Sequence, residues 1–257
     1  MMLSNQGQAI IRHIKVTLDQ GNHVKQAIQV TQSNHLSEDS KSALSLNLDW
    51  LTGQVMIMPN SNNEIEIIQY ADTGFKIEKA FQYELHTSVI TITDGRKSSK
   101  LGLNLKKTCL EIFVPPVLLS NINIKGVGTQ IKLSEMNAET FQCNVVSGKL
   151  QLSGAYGKLD LHATASEVNA QLCEVGELTV KSTSSKLRVY IPEELRFTIS
   201  TGKLTSRKAI RSSLPLQYEK SQLNPKEGES RFHVSIAGGH MEIAPLHSDL
   251  FRCLKPD

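Results

Sequence analysis

Phe141-Gln142-Cys143-Asn144-Val145-Val146-Ser147-Gly148-Lys149-Leu150 decides the fold of this chain. Phe141, Cys143 and Val145 alternate with Gln142 and Asn144, the period of a strand with one buried face. The small pair Ser147-Gly148 interrupts the run, and Lys149-Leu150 restarts it. Glycine accepts φ > 0, and serine or threonine bonds nearby backbone, so the small pair reads as a bend between two strands.

The unit recurs on both sides. Small–small–polar–apolar returns as Gly128-Thr129-Gln130-Ile131, Ala165-Ser166-Glu167-Val168, Ser184-Ser185-Lys186-Leu187 and Thr201-Gly202-Lys203-Leu204. Its apolar members fall at 131, 150, 168, 187 and 204, in steps of 19, 18, 19 and 17. The residues ahead of each pair keep register as well. Phe141, Cys143 and Val145 match Leu159, Leu161 and Ala163, then Leu178, Val180 and Ser182, then Leu195, Phe197 and Ile199. The residues between them, Gln142 and Asn144, Asp160 and His162, Thr179 and Lys181, Arg196 and Thr198, are all polar. Ile122, Ile124 and Gly126 carry the inward rows one unit upstream. The pattern predicts an all-β chain. Its architecture is expected to be a β-solenoid, a β-helix-like stack of coils of about nineteen residues with a less regular β-rich N-terminal half.

A lone coil of this kind is unstable. Burying about five apolar side chains yields roughly 1.5–3 kcal/mol each. Ordering the backbone costs about 1–2 kcal/mol for every residue. Stacking lets neighbours share backbone hydrogen bonds and cover one another's apolar rows. The outward row Lys149, Glu167, Lys186 alternates in sign; at about 0–1 kcal/mol per exposed pair, it keeps register and solubility more than it drives folding.

Further echoes lie upstream. Leu110-Glu111-Ile112-Phe113-Val114-Pro115 parallels Leu187-Arg188-Val189-Tyr190-Ile191-Pro192, and Val55-Met56-Ile57-Met58-Pro59 has the same form. Other strand candidates are 64–68, 89–93 and 101–105. The best helical candidate, 7–18, is itself strand-like at Ile14, Val16 and Leu18. Regularity breaks after Thr205, so 207–231, with Pro215, Pro225 and Gly228, reads as a loop inserted into the last coil. The strand signal returns at Phe232, Val234 and Ile236. The expected organisation is a cap over 1–45, the repeat domain over 46–245 (most regular over 110–206) and a tail over 246–257. Open ends of such a stack invite self-association, which the caps counter.

Composition limits the functions. Basic residues number 28 and acidic ones 25, too even a balance for a nucleic-acid binder. Arg96, Lys97, Lys100, Lys106 and Lys107 form the nearest basic cluster and read as a solvated loop and strand edge. No apolar run is long enough to span a membrane. Residues 1–19 carry no apolar signal core, so a cytoplasmic location is expected. Cys109, Cys143, Cys173 and Cys253 lie far apart, which supports neither a zinc knuckle nor a disulfide framework.

The repeated corners Ser147-Gly148-Lys149-Leu150 and Thr201-Gly202-Lys203-Leu204 resemble a bacterial family, the DUF4097-type "putative adhesins". So do the apolar–Pro strand ends Val114-Pro115 and Ile191-Pro192, and the opening Leu48-Asp49-Trp50-Leu51-Thr52-Gly53-Gln54-Val55. The resemblance covers 46–245. It implies a β-solenoid and, for location, an association with the cell envelope; it supplies no catalytic residues. The corners Ala165-Ser166 and Ser184-Ser185 depart from the family pattern, since neither holds a glycine.

Candidate sites are weak. β-helix polysaccharide lyases and hydrolases cluster carboxylates or calcium ligands on one face, but the outward row Gln142, Asp160, Thr179, Arg196 holds one acid. Asp160 and His162 point the same way and form the one candidate acid–base pair, read as two solvent-facing polar residues. Glu193 and Glu194 read as a turn. His233, His240 and His247 are spaced by seven, which on strands is no ligand pattern. Cys143 reads as core. Trp50 and the scattered tyrosines are at best a sugar platform. No catalytic residue, metal or cofactor is assigned. The expected function is a non-catalytic scaffold or adhesin-like interaction protein, binding an unknown protein or glycan partner and not nucleic acid. The rival is a carbohydrate-active β-helix enzyme.

Overall fold

Strands form where the sequence alternates, and bends form at the small pairs. The computed structural model describes residues 11–15, 26–32, 44–60, 65–71, 75, 79–86, 88–98, 108–115, 119–204, 209–215, 217–218 and 230–246. Among these the chain is all-β, with a short 3-10 turn at Gly95–Ser98. The strands are β1 (Ile11–Lys15), β2 (Gln26–Gln32), β3 (Ser45–Pro59), β4 (Ile65–Ala71), β5 (Gln82–His86), β6 (Val89–Thr93), β7 (Thr108–Val114) and β8 (Leu119–Leu133). They continue as β9 (Ala138–Val146), β10 (Lys149–Thr164), β11 (Glu167–Ile191), β12 (Phe197–Leu204), β13 (Ile210–Ser212), β14 (Gln217–Tyr218) and β15 (Ser230–Pro245). All fifteen belong to one extended sheet.

Its centre is parallel and in the register of the repeat. Ile122 lies opposite Phe141, Phe141 opposite Leu159, and Leu159 opposite Leu178. Ile124, Cys143, Leu161 and Val180 form a second row, and Gly126, Val145, Ala163 and Ser182 a third. Beyond the bend, Ile131, Leu150 and Val168 align likewise. The members of these rows are all buried, so the alternation delivers the apolar face that burial rewards. Phe141 and Tyr156 meet edge to face at 5.3 Å inside it.

The rows do not continue into Leu195, Phe197 and Ile199 as expected. The neighbour of β11 is β15, with Phe232 opposite Leu178, Val234 opposite Val180 and Ile236 opposite Ser182. β12 lies on the far edge of β15, where Ile199 faces Phe232 and Phe197 stacks on Phe232 at 4.6 Å. Likewise Met241, not Leu204, stands opposite Leu187. Periodicity marks which segments can pair in parallel, and β15 shares the period of β12. Within 207–231, β13 pairs with β15 and β14 with β12.

A similar inversion occurs on the other side. β3, first of these segments in sequence, lies between β8 on one edge and β6 and β7 on the other. Val55 faces Leu110 and Pro59 faces Val114, so the two echoing stretches do pair, one residue out from the alignment of their proline ends. Beyond β6 and β7 the order turns antiparallel: β5 on β6, then β4 on β7, β2 on β4 and β1 on β2. β4 and β6 coincide with the candidates at 64–68 and 89–93. The helical candidate 7–18 contains β1, a strand. Candidate 101–105 falls outside the described residues, as do most of the cap 1–45 and the tail 246–257.

Four of the five small pairs place positive φ on their first residue; Thr201 of the fifth does not. Gly128 has φ 62°, Ser147 53°, Ala165 49° and Ser184 52°. The second residue turns inward. At Gly148 a Cβ would lie 2.4 Å from the Thr129 carbonyl oxygen, so glycine there answers a close approach. Ser166 and Ser185 fit because their hydroxyls bond the crowding backbone. The Gly148 N–H donates to Ser166 Oγ at 3.2 Å and the Ser166 N–H to Ser185 Oγ at 3.1 Å. The hydroxyls themselves donate to Thr164 O at 2.7 Å and Thr183 O at 3.0 Å. The two corners without glycine therefore keep the bend and replace a missing side chain by a satisfied one.

Candidate functional site

Outward side chains ahead of the bends form two polar rows. One runs Gln142, Asp160, Thr179, His233, Ser200; the other Asn144, His162, Lys181, Ser235. The insertion of β15 puts His233 and Ser200 where Arg196 was expected. Alternation in Phe232-His233-Val234 marks His233 as outward, but only the strand order brings it beside Thr179.

Asp160 Oδ1 and His162 Nε2 approach to 3.1 Å, with both atoms shielded from solvent and out of hydrogen-bond alignment. No second carboxylate stands opposite Asp160: its neighbours are Gln142 and Thr179. Glu177, two positions before Thr179, is paired with Lys158 at 3.5 Å. Ser200 Oγ and His233 Nδ1 share a hydrogen bond of 2.9 Å. A serine nucleophile also needs an acid to orient the imidazole, and Asp160 stands two strands away in that row. Lys149 and Glu167 pair at 3.3 Å and Arg188 and Glu242 at 3.7 Å, all about half exposed. Around the bends, Gln130, Ser147, Lys149, Glu167, Ser184 and Lys186 line a shallow groove of about 420 Å³.

Of the two described members of the basic cluster, Lys97 is exposed as expected and Arg96 is not. Arg96 and Asp94 are both buried and joined by Arg96 Nε to Asp94 Oδ1 at 2.8 Å. The guanidinium also donates to Leu51 O and, at 3.0 Å, to Thr52 O, and lies 5.8 Å over the Trp50 ring. Leu51 N–H donates to Asp94 Oδ2 at 3.1 Å. The pair thus holds the 95–98 turn against the bend of β3, where Thr52 has φ 43°. Lys97 pairs with Asp49. Lys100, Lys106 and Lys107 lie outside the described residues. Trp50 is fully buried under Arg96, so it is no sugar platform.

The remaining candidates are scattered. Cys143 is buried and its thiol is pushed up to about 12 by desolvation; Cys109 is pushed to about 11 by burial and then by Glu111. Both raised values oppose thiolate chemistry. Glu193 and Glu194 are exposed in a turn. His233 and His240 are on β15, and His247 lies outside the described residues. Among the described residues no three His, Cys, Asp or Glu gather as a metal site. Cys173 is disulfide-bonded, where its spacing gave no reason to expect a bridge. No helix among them is long and apolar enough to cross a membrane. That places the chain in no compartment, and the cytoplasmic expectation gains no support.

No protein-family model matches the chain, and no curated protein matches it. Among solved structures it is similar to a "putative cell adhesion protein" from Clostridium sporogenes: 14% identity, TM-score 0.49, covering 92% of this chain and all of the other. A "putative adhesin" from Bacteroides fragilis is similar at 10% identity and TM-score 0.35, over 84% and 96% of the two chains. One from Parabacteroides distasonis is similar at 9% and 0.33, over 85% and 95%. At these identities no function transfers.

Proposed function

We propose that this chain is a non-catalytic β-solenoid with the layout of the DUF4097-type adhesins, a rigid scaffold that presents its outward rows to a protein or glycan partner at the cell envelope. The observation that carries the reading is the parallel pairing at an offset of 18–19 residues through β8–β11. Such pairing turns a flat row of side chains into a repeating surface at about 4.8 Å spacing. The 1–45 cap, the 46–245 repeat domain and the 246–257 tail are parts of the same proposal. A disulfide at Cys173 suits an oxidising location.

The test is affinity capture from the host beside a glycan array, using the full chain and a Lys125→Glu/Lys181→Glu form, both residues exposed in the row Lys125, Asn144, His162, Lys181. Partner or glycan signal retained by the first and lost by the second supports the reading. The Asp160–His162 contact favours one other reading, a carbohydrate-active enzyme. Turnover of any polysaccharide, abolished by Asp160→Ala, would establish that reading and overturn the scaffold.

A further inference from the structure

Two segments of this chain fit the same edge of β11. At a constant offset of 17, Leu195, Phe197 and Ile199 match Leu178, Val180 and Ser182, and Thr201-Gly202 match the bend Ser184-Ser185. The edge is instead filled by β15, which runs against β11 in unbroken register on both sides of that bend, with Gly239 opposite Ser185. Gly238 and Gly239 both have φ 86°, and a Cβ on Gly239 would stand 1.9 Å from Ser185 O. β12 is a poorer match for the strand it does pair with. Exposed Thr201 faces buried Val234. The register then slips, so that Gly202 and Lys203 oppose Ser235 alone. The alternation and the small pair of β12 match β11, one strand further in.

We propose that 230–245 is an exchangeable strand. When it leaves, the vacated edge of β11 is covered in one of two ways: 195–204 of the same chain closes onto 178–187 in the register the repeat encodes, or 230–245 released by a second copy of this chain takes the place of the strand that left. Over 178–182 the apolar row of β11 stays covered in both arrangements, by Phe197 and Ile199 in the closed form and by the exchanged strand's Val234 and Ile236 in the other; the closed form leaves Val189 and Ile191 without Ile243 and Pro245, and β13 without its pairing to β15. The partner implied is another copy, joined by parallel strand addition between β11 and β12.

Double-cysteine forms of the full chain separate the two arrangements. Lys181 and Ser235 are direct neighbours in the structure. Lys181 and Thr198 become neighbours only when 195–204 closes onto β11, since Thr198 now faces Arg231. Under mild oxidation, with disulfides mapped by peptide mass, Lys181→Cys with Ser235→Cys cross-links readily. Lys181→Cys with Thr198→Cys is expected to gain at least about tenfold in yield when Gly239→Ala is added, because that methyl group expels β15. An unchanged yield overturns the proposal. A second arm, free of the glycine substitution, guards against misfolding: copies carrying Lys181→Cys are mixed with copies carrying Ser235→Cys. Covalent dimers through those two positions are expected well above a Lys181→Cys and Glu135→Cys control mixture, and dimers no more abundant than in the control overturn it.

Discussion

Ser166→Ala and Ala165→Gly, neighbours in one bend, are expected to move stability in opposite directions. Ser166 is only 7% exposed. Its hydroxyl accepts the Gly148 N–H at 3.2 Å and donates to Thr164 O at 2.7 Å. The hydroxyl also reaches Val145 O at 3.2 Å; alanine removes these contacts and leaves the half-buried Gly148 N–H without its acceptor, a loss of about 1–3 kcal/mol. Ala165 holds φ 49°, a region that disfavours a Cβ by roughly 1–2 kcal/mol. Glycine relieves that but adds about 0.4–1 kcal/mol of unfolded-state entropy. The net gain is roughly 0.5–1 kcal/mol. Urea unfolding followed by circular dichroism reads both, and in a chain of this size 1 kcal/mol is about 2–4 °C in Tm. Hydrogen exchange at the Gly148 amide adds a local readout, faster in Ser166→Ala. If Ala165→Gly destabilises, or Ser166→Ala leaves both stability and Gly148 exchange unchanged, the bend is not built as argued.

Arg96→Met should destabilise by about 3–5 kcal/mol by stranding the buried Asp94 carboxylate, and a second substitution, Asp94→Leu, should recover much of it in thermal unfolding. Stability should fall as pH rises above 9. Below that value the Cys143 thiol is neutral in both states. Above it the unfolded thiol ionises, while burial holds the folded one to about 12. The Cys143 share of the slope reaches about 1.4 kcal/mol per pH unit; Cys109, pushed to about 11, adds a like share up to that pH, so Cys143→Ala should remove its own share of the slope in unfolding titrations. Alkylation in denaturant without reductant should modify Cys109 and Cys143, which are free, and leave Cys173, which is bridged, unmodified; modification of Cys173 would deny the bridge.

The central rows were legible because alternation and the small pairs are local signals that repeat. Phe141, Leu159 and Leu178 had to share a face once their strands shared a period, and they do. The positions of β12 and β15 were not legible. Both alternate correctly, and the choice between them depends on how well each whole segment fits β11, which no short window contains. The bend was half legible: a small pair marked it, but positive φ sits on Ser147 while Gly148 answers the nearby Thr129 carbonyl. Arg96 was misread because a basic run resembles a surface loop until Asp94, Leu51 and Thr52 are seen around it. Among the site residues, the Asp160–His162 contact follows from their i, i+2 spacing on one strand. The Ser200–His233 bond does not, because it requires β12 to lie against β15.

Parallel strands at a fixed offset carry a hazard that explains how the two sides of this sheet differ. The outer edge of any in-register repeat presents the same donors and acceptors as the edge it has just covered, so it is a template for one more copy. On the N-terminal side that template is cancelled by direction. β5 and β4 run antiparallel to β6 and β7, and an antiparallel neighbour no longer offers the slanted bonding pattern a further parallel repeat requires. On the other side direction is unchanged, and β12 is parallel to β15. There the template is spoiled by register, through the slip at Gly202-Lys203, a bulge-like irregularity that twists an edge out of match. A reversal cannot be undone without refolding the hairpin. A slip vanishes as soon as β12 finds the strand it matches, which makes the β12 side the one where strand exchange can begin.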